Sequence, residues 1–255
     1  MNAKDILSYL KQNELNLYAI HYSCETLGDG NEGLSPRITS IAVLHMPSSN
    51  MHSFSIHLVA EVSKVTRESI SDHYDSLEKQ MLIDFYEFVK SHQDTLWLHW
   101  NMSNINYGFE ALAHRYRVLC ENEAQQILDS KRFNLSSMIA DIYGSNCVDQ
   151  PRMFNLMQAN GGQHRDFLKG SEEVEAFKNK EYIKLHKSTM CKVYWFQEMY
   201  DKLKKRKIKT ARTNLWNRVN EFMETPFIKV LGFISVLYAI FQLAQAAYAG
   251  FPLPH

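Results

Sequence analysis

The chain is short of the residues that define several protein classes. Its 255 residues hold four cysteines, six prolines and ten glycines. Cys24, Cys120, Cys147 and Cys191 form no CxxC pair, and no two lie closer than 27 residues. That spacing argues against a zinc site built on thiolate pairs. It predicts reduced thiols rather than a disulfide framework. The low glycine and proline content excludes collagen-like and Gly/Pro-rich chains. Net charge is absent too, with 28 Lys+Arg against 28 Asp+Glu. Together with 45% hydrophobic residues, this excludes wholesale disorder. The opening MNAKDILSYLKQNEL has no apolar core of the kind a secretory signal needs, so a cytoplasmic bulk is expected. There is no internal repeat, no GxGxxG and no Walker lysine. A mean hydropathy of −0.34 argues against several membrane spans.

One long hydrophobic run is present. Val230 to Gly250, VLGFISVLYAIFQLAQAAYAG, is 21 residues without a charge. About 20 apolar residues suffice to cross a bilayer core. Between Lys202 and Arg218 lie eight Lys/Arg, and positive residues beside a span stay on the cytoplasmic side. The expected topology is a cytoplasmic domain over residues 1–203, a basic neck over 204–226 and a single span over 227–250. In the neck, Lys204, Lys205, Arg206, Lys207, Lys209 and Arg212 are placed to meet anionic headgroups. Gly232, Ser235, Ala239, Gln242, Ala246 and Ala249 recur at steps of three and four. Small and amide side chains on one face let spans approach closely, which predicts self-association. The charge is asymmetric: from Asp201 onward nine Lys/Arg face three Asp/Glu, so the first 200 residues are net acidic.

The remainder reads as alternating strands and helices. Leu17–Ser23, Ile38–Met46 and Met51–Val59 are rich in β-formers, with a Pro/Ser/Asn turn between the second and third. A helical pattern runs from about Asp72 to His92, with Leu77, Met81, Phe85 and Phe88 at spacings of three and four. Thr95–His99 reads as a short buried strand. Helix follows over Asn106–Val118, then a last strand at Arg132–Leu135 and a helix to about Tyr143. Three further helices are predicted across Pro151–Ala159, Glu172–Phe177 and Tyr182–Leu203. The fold class this order predicts is α/β, a ribonuclease H-like mixed sheet flanked by helices, with a C-terminal transmembrane helix.

Three local patterns carry a resemblance. YSCET, Tyr22–Thr26, ends the first strand. LHWNMSNINYGFEALAHRY, Leu98–Tyr116, joins the short buried strand to a helix ending in arginine. YIKLHKSTMCKVYWF, Tyr182–Phe196, is a helix bearing His186. In this order they resemble the DEDD 3′–5′ exonucleases, especially the proofreading type attached to family B polymerases, over roughly Leu17 to Leu203. Glu25 and Thr26 match the first motif, and Asn101, Tyr107, Leu112 and Arg115 match the second. The family has aspartates where this chain has Ser23, Gly108 and one of Thr189, Met190 and Cys191. Only Glu25 of four carboxylates is kept.

The resemblance implies two divalent ions, Mg²⁺ or Mn²⁺, held by carboxylates for phosphodiester hydrolysis. Hard cations need charged oxygen ligands, so the losses imply the fold more strongly than the activity. The expectation is a membrane-anchored, catalytically degenerate domain that binds nucleic acid or a protein partner through Ser23, Asn101, Tyr107, Arg115 and His186. Two alternatives stay open. One is an active nuclease with a site rebuilt from Glu25, His99 and His164, with Glu25 as the metal ligand. The other is a membrane oligomerisation or signalling module. The loop Ala159–Gly170, with His164, Arg165 and Lys169 beside a Gly-Gly, is a further candidate groove wall.

Overall fold

The computed structural model describes residues 2–25, 36–104 and 106–210. The expected transmembrane segment and Arg212 lie outside them. Among the described residues no helix is long and apolar enough to cross a membrane. Residues up to Ile208 form one compact unit.

Strands β1 (Leu17–Cys24), β2 (Ile38–His45), β3 (Asn50–Ser55), β4 (Leu96–His99) and β5 (Arg132–Asn134) form one sheet in the order β3-β2-β1-β4-β5. The first three are antiparallel, while β4 runs parallel to β1 and β5 parallel to β4. The fold is therefore α/β, with a mixed five-stranded sheet flanked by helices. A parallel return needs a crossover of a dozen residues or more. Helices α2 (Ile56–Val62) and α3 (Tyr74–Ser91) make the first, and α4 (Phe109–Cys120) the second.

Side-chain alternation assigns the two faces. Leu17 and Ala19 of β1, Ala42 and Leu44 of β2, and Leu96 and Leu98 of β4 pack under α1 (Ala3–Gln12), α5 (Leu135–Tyr143), α6 (Arg152–Asn160) and most of α8 (Tyr182–Lys204). Ile20, Tyr22, Ile41, Val43 and Trp97 face α2, α3, α4 and α7 (Gly170–Lys178). Burial on both faces explains why the central strands are nearly continuous apolar runs. His21 and Ser23 alternate with Ala19 and so lie on the α8 face. The β1–β2 register shifts between Ser23 and Cys24, next to Glu25.

One local reading changes, and one helix was not expected. The third strand, expected to continue to Val59, stops at Ser55, and Ile56–Val62 is α2. Ile56, Val59 and Ala60 bury one helical stripe against α3, so tertiary packing overrides the β-branched composition. The N-terminus forms α1, for which Asn2 supplies the cap by accepting from the Lys4 and Asp5 N–H groups at 3.0 Å each. The first residues of the basic neck belong to the folded unit. Lys204 pairs with Glu14 and, at 2.9 Å, with Asp201, while the Ile208 N–H donates to the Tyr143 hydroxyl at 3.2 Å. Lys205, Arg206, Lys207 and Lys209 are exposed.

A cleft floored by a buried ion pair

The C-terminal ends of β1 and β4 open into a cleft of about 560 Å³ between the α6–α7 connection and α8. Its walls are aromatic. Trp100 and Tyr107 line one side, and Phe154 and Phe167, with ring centroids 6.2 Å apart, line the other. Lys169 places its ammonium 4.0 Å from the Phe154 ring centroid, within cation–π range.

The floor is polar. Glu173 of α7 and Lys192 of α8 form an ion pair at 2.7 Å, with side chains only 7% and 5% exposed. The same Glu173 oxygen, Oε1, accepts from the Ser23 hydroxyl at 3.1 Å and the Ser188 hydroxyl at 2.9 Å. Ser23 also bonds the Thr189 hydroxyl at 2.8 Å, and Thr189 donates to the Leu185 carbonyl. Thus one strand end and two helices meet in a single hydrogen-bonded cluster. Buried charges are tolerated only when paired and hydrogen-bonded in this way.

His21 adjoins the cluster. Burial first, and the nearby Lys192 charge second, hold its pKa well below the usual histidine range, so the ring is neutral at physiological pH. Tyr107, pushed well above the ordinary tyrosine value by burial, donates its one hydroxyl proton to the Tyr22 carbonyl at 3.0 Å. With that proton committed, the His21 Nδ1–H donates to the Tyr107 oxygen at 3.2 Å. The Tyr107 and Tyr22 rings stack at 4.5 Å. The Tyr22 hydroxyl in turn accepts from the Gly108 N–H at 2.9 Å. A Cβ at Gly108 would stand 2.4 Å from the Met102 carbonyl oxygen, so this backbone approach admits no side chain.

The residues singled out by sequence are spread over several places. Ser23 is in the cluster, and Tyr107 and Asn101 line the cleft. Asn101 has φ +52°, a left-handed conformation that asparagine tolerates, and exchanges amide hydrogen bonds with Asn134. Arg115 lies elsewhere, clamping Glu78 through Nε at 2.9 Å and reaching Asp75 at 3.2 Å. Glu78 also accepts the Ile38 N–H at 2.6 Å, so this pair fastens α3 and α4 to β2. His186 bonds the Ser40 hydroxyl at 3.2 Å and packs edge-on to His57 at 5.0 Å.

Glu25, His99 and His164 are not gathered into one site. His99 shares the face of Trp97, contacts Phe109 at 5.4 Å and accepts the Met102 N–H at 3.1 Å. His164 stands 3.7 Å from Glu198, and Glu25 is half-buried with its N–H on the Arg37 carbonyl at 2.8 Å. Among the described residues no group of three or more His, Cys, Asp or Glu could hold a metal ion. The two divalent ions that the resemblance implies do not fit the cleft floor, where the carboxylate present, Glu173, already holds an ammonium.

Sequence reasoning missed Glu173, Lys192 and the Phe154/Phe167 wall. A signal for one of them existed. Thr189, Lys192, Val193, Phe196, Met199, Tyr200 and Leu203 form the buried stripe of α8, and a lysine on such a stripe demands a partner. Comparison with known proteins finds no family model that matches the chain and no curated protein that it resembles.

Proposed function

We propose that this chain is a ribonuclease H-like domain of the exonuclease type that has exchanged hydrolysis for binding. In this reading it holds an end of a single-stranded nucleic acid in the cleft, and residues 230–250 tether it to a membrane with its bulk cytoplasmic. The observation that carries the proposal is the cleft floor. Ser23, where the resemblance calls for aspartate, and Thr189, one of the three residues over which it calls for another, are joined through Glu173 to the Lys192 ammonium. At the third such position, Gly108, the Met102 carbonyl blocks any side chain. The sheet order, three antiparallel strands followed by two parallel ones on the β1 edge, supports the ribonuclease H-like assignment. Aromatic walls with nearby lysines suit stacked bases and a phosphate, because stacking tolerates any base and the cations neutralise the backbone.

The test uses full-length protein in detergent, labelled single-stranded DNA and RNA, and Mg²⁺ or Mn²⁺. Binding that weakens with salt, without cleavage, is the expected result. Cleavage that disappears in Glu25→Ala would refute it in favour of a rebuilt nuclease. Absence of binding would point to the oligomerisation module instead. Co-flotation with anionic vesicles, lost on deleting residues 230–255, checks the tether.

A further inference from the structure

Among the described residues two cationic side chains are buried, Arg115 and Lys192. Arg115 is held by two carboxylates, the buried Glu78 and the exposed Asp75. Lys192 is different. It has one carboxylate partner, Glu173, it lines the cleft, and its ammonium sits 5.4 Å from the Phe167 ring centroid. Its partner is a carboxylate oxygen that also accepts from the hydroxyls of Ser23 and Ser188, with the Thr189 hydroxyl one hydrogen bond further, on Ser23. All are hard oxygen donors, the kind that suit a hard cation. The cation bound to this cluster, through Glu173, is the chain's own.

We infer that the Lys192 ammonium is a resident cation that takes the place of a divalent ion at the cleft floor, so that Glu173 is neutralised without metal and the ammonium's remaining donors can meet an anionic ligand. An ammonium 2.7 Å from the Glu173 oxygen and a divalent ion bound to that same oxygen would repel strongly in a buried setting. The two are mutually exclusive. Lys192 also lies one helical turn beyond Ser188 and Thr189, so α8 carries both the hydroxyls and the charge. Lysine supplies a single fixed charge with three donors and no Lewis-acid orbital. It can anchor a phosphate, but it cannot activate a water as a metal does. The choice of anion rests on the nucleic-acid reading above. That a metal is replaced rests on the same resemblance, and the ammonium's hold on Glu173 rests on the cluster itself.

The experiment measures melting of full-length protein in detergent, with Mn²⁺ or with chelator. Wild type is expected to melt at the same temperature in both. Lys192→Asp, which pairs a second carboxylate with Glu173, is expected to gain about 5–10 °C at Mn²⁺ about a hundredfold above its dissociation constant, and to lose it in chelator. The neutral pair Lys192→Met/Glu173→Gln is the folding control and is expected to show no metal response. A Lys192→Asp protein that gains neither stability nor folding from Mn²⁺ overturns the inference. So does an equal Mn²⁺ response in wild type or in the neutral pair. If wild type binds no oligonucleotide while Lys192→Asp still gains Mn²⁺ dependence, the resident cation stands and the nucleic-acid reading falls.

Discussion

Removing one member of the Glu173–Lys192 pair should cost far more than removing both. Lys192→Met keeps most of the side-chain volume but leaves the Glu173 carboxylate almost fully buried, with the Ser23 and Ser188 hydroxyls as its remaining side-chain partners among the described residues. Breaking a buried pair in this way costs about 3–5 kcal/mol. For a unit of this size each kcal/mol lowers Tm by about 2–4 °C, so the single variant should melt about 6–20 °C below wild type. Glu173→Gln strands the ammonium and should cost a similar amount. The double variant removes both charges and restores a neutral, hydrogen-bonding amide beside a methionine, and should recover most of the loss. The coupling energy from the four melting or denaturant curves should therefore be about 2–3 kcal/mol or more. Additive single effects, with coupling below about 0.5 kcal/mol, would show that the two side chains do not share a buried site and would refute the reasoning.

Three further outcomes follow from the geometry. Gly108→Ala drives a Cβ into the Met102 carbonyl and should lower stability by about 3 kcal/mol in denaturant titration, a loss that no polar or apolar replacement avoids. Arg115→Ala leaves Glu78, which is fully buried, without its guanidinium and should cost about 3–5 kcal/mol while leaving the cleft cluster and any ligand binding at wild-type affinity per folded molecule. Burial lowers His99 to about 4, and burial with His57 nearby lowers His186 to about 4, against an ordinary 6.5. The unfolded chain therefore binds more protons between those values, and stability falls as pH drops from about 6.5 towards 4, at no more than about 1.4 kcal/mol per pH unit for each histidine. Stability curves at several pH values check the slope, which His99→Gln should reduce.

Strand and helix order was legible because it depends on local periodicity. Runs rich in β-formers at Leu17–Cys24 and Ile38–His45 announce strands, and the three- and four-residue spacing of Leu77, Met81, Phe85 and Phe88 announces α3. The boundary at Ser55 was not legible. HSFSIHLV has β-branched and aromatic residues throughout, and only the packing of Ile56, Val59 and Ala60 on α3 decides for helix. The candidate site was legible only in part. Ser23, Asn101 and Tyr107 stand out along the chain only as positions of the resemblance. His99 and His164 are as conspicuous in sequence, yet His99 lies on the opposite face of the sheet from His21 and Ser23, and His164 sits beside Glu198.

By itself the sequence determined the alternation of elements and the acidic body with its basic neck and apolar run. Those are properties of residue identity and spacing along one dimension. The tertiary structure decided which distant polar residues meet in the cleft. Ser23, Glu173 and Lys192 are up to 169 positions apart, and they meet only because β1, α7 and α8 converge at one end of the sheet. A buried charge must find a partner, but nothing local to α8 says which carboxylate that partner is, or that the lysine sits at the floor of a cleft.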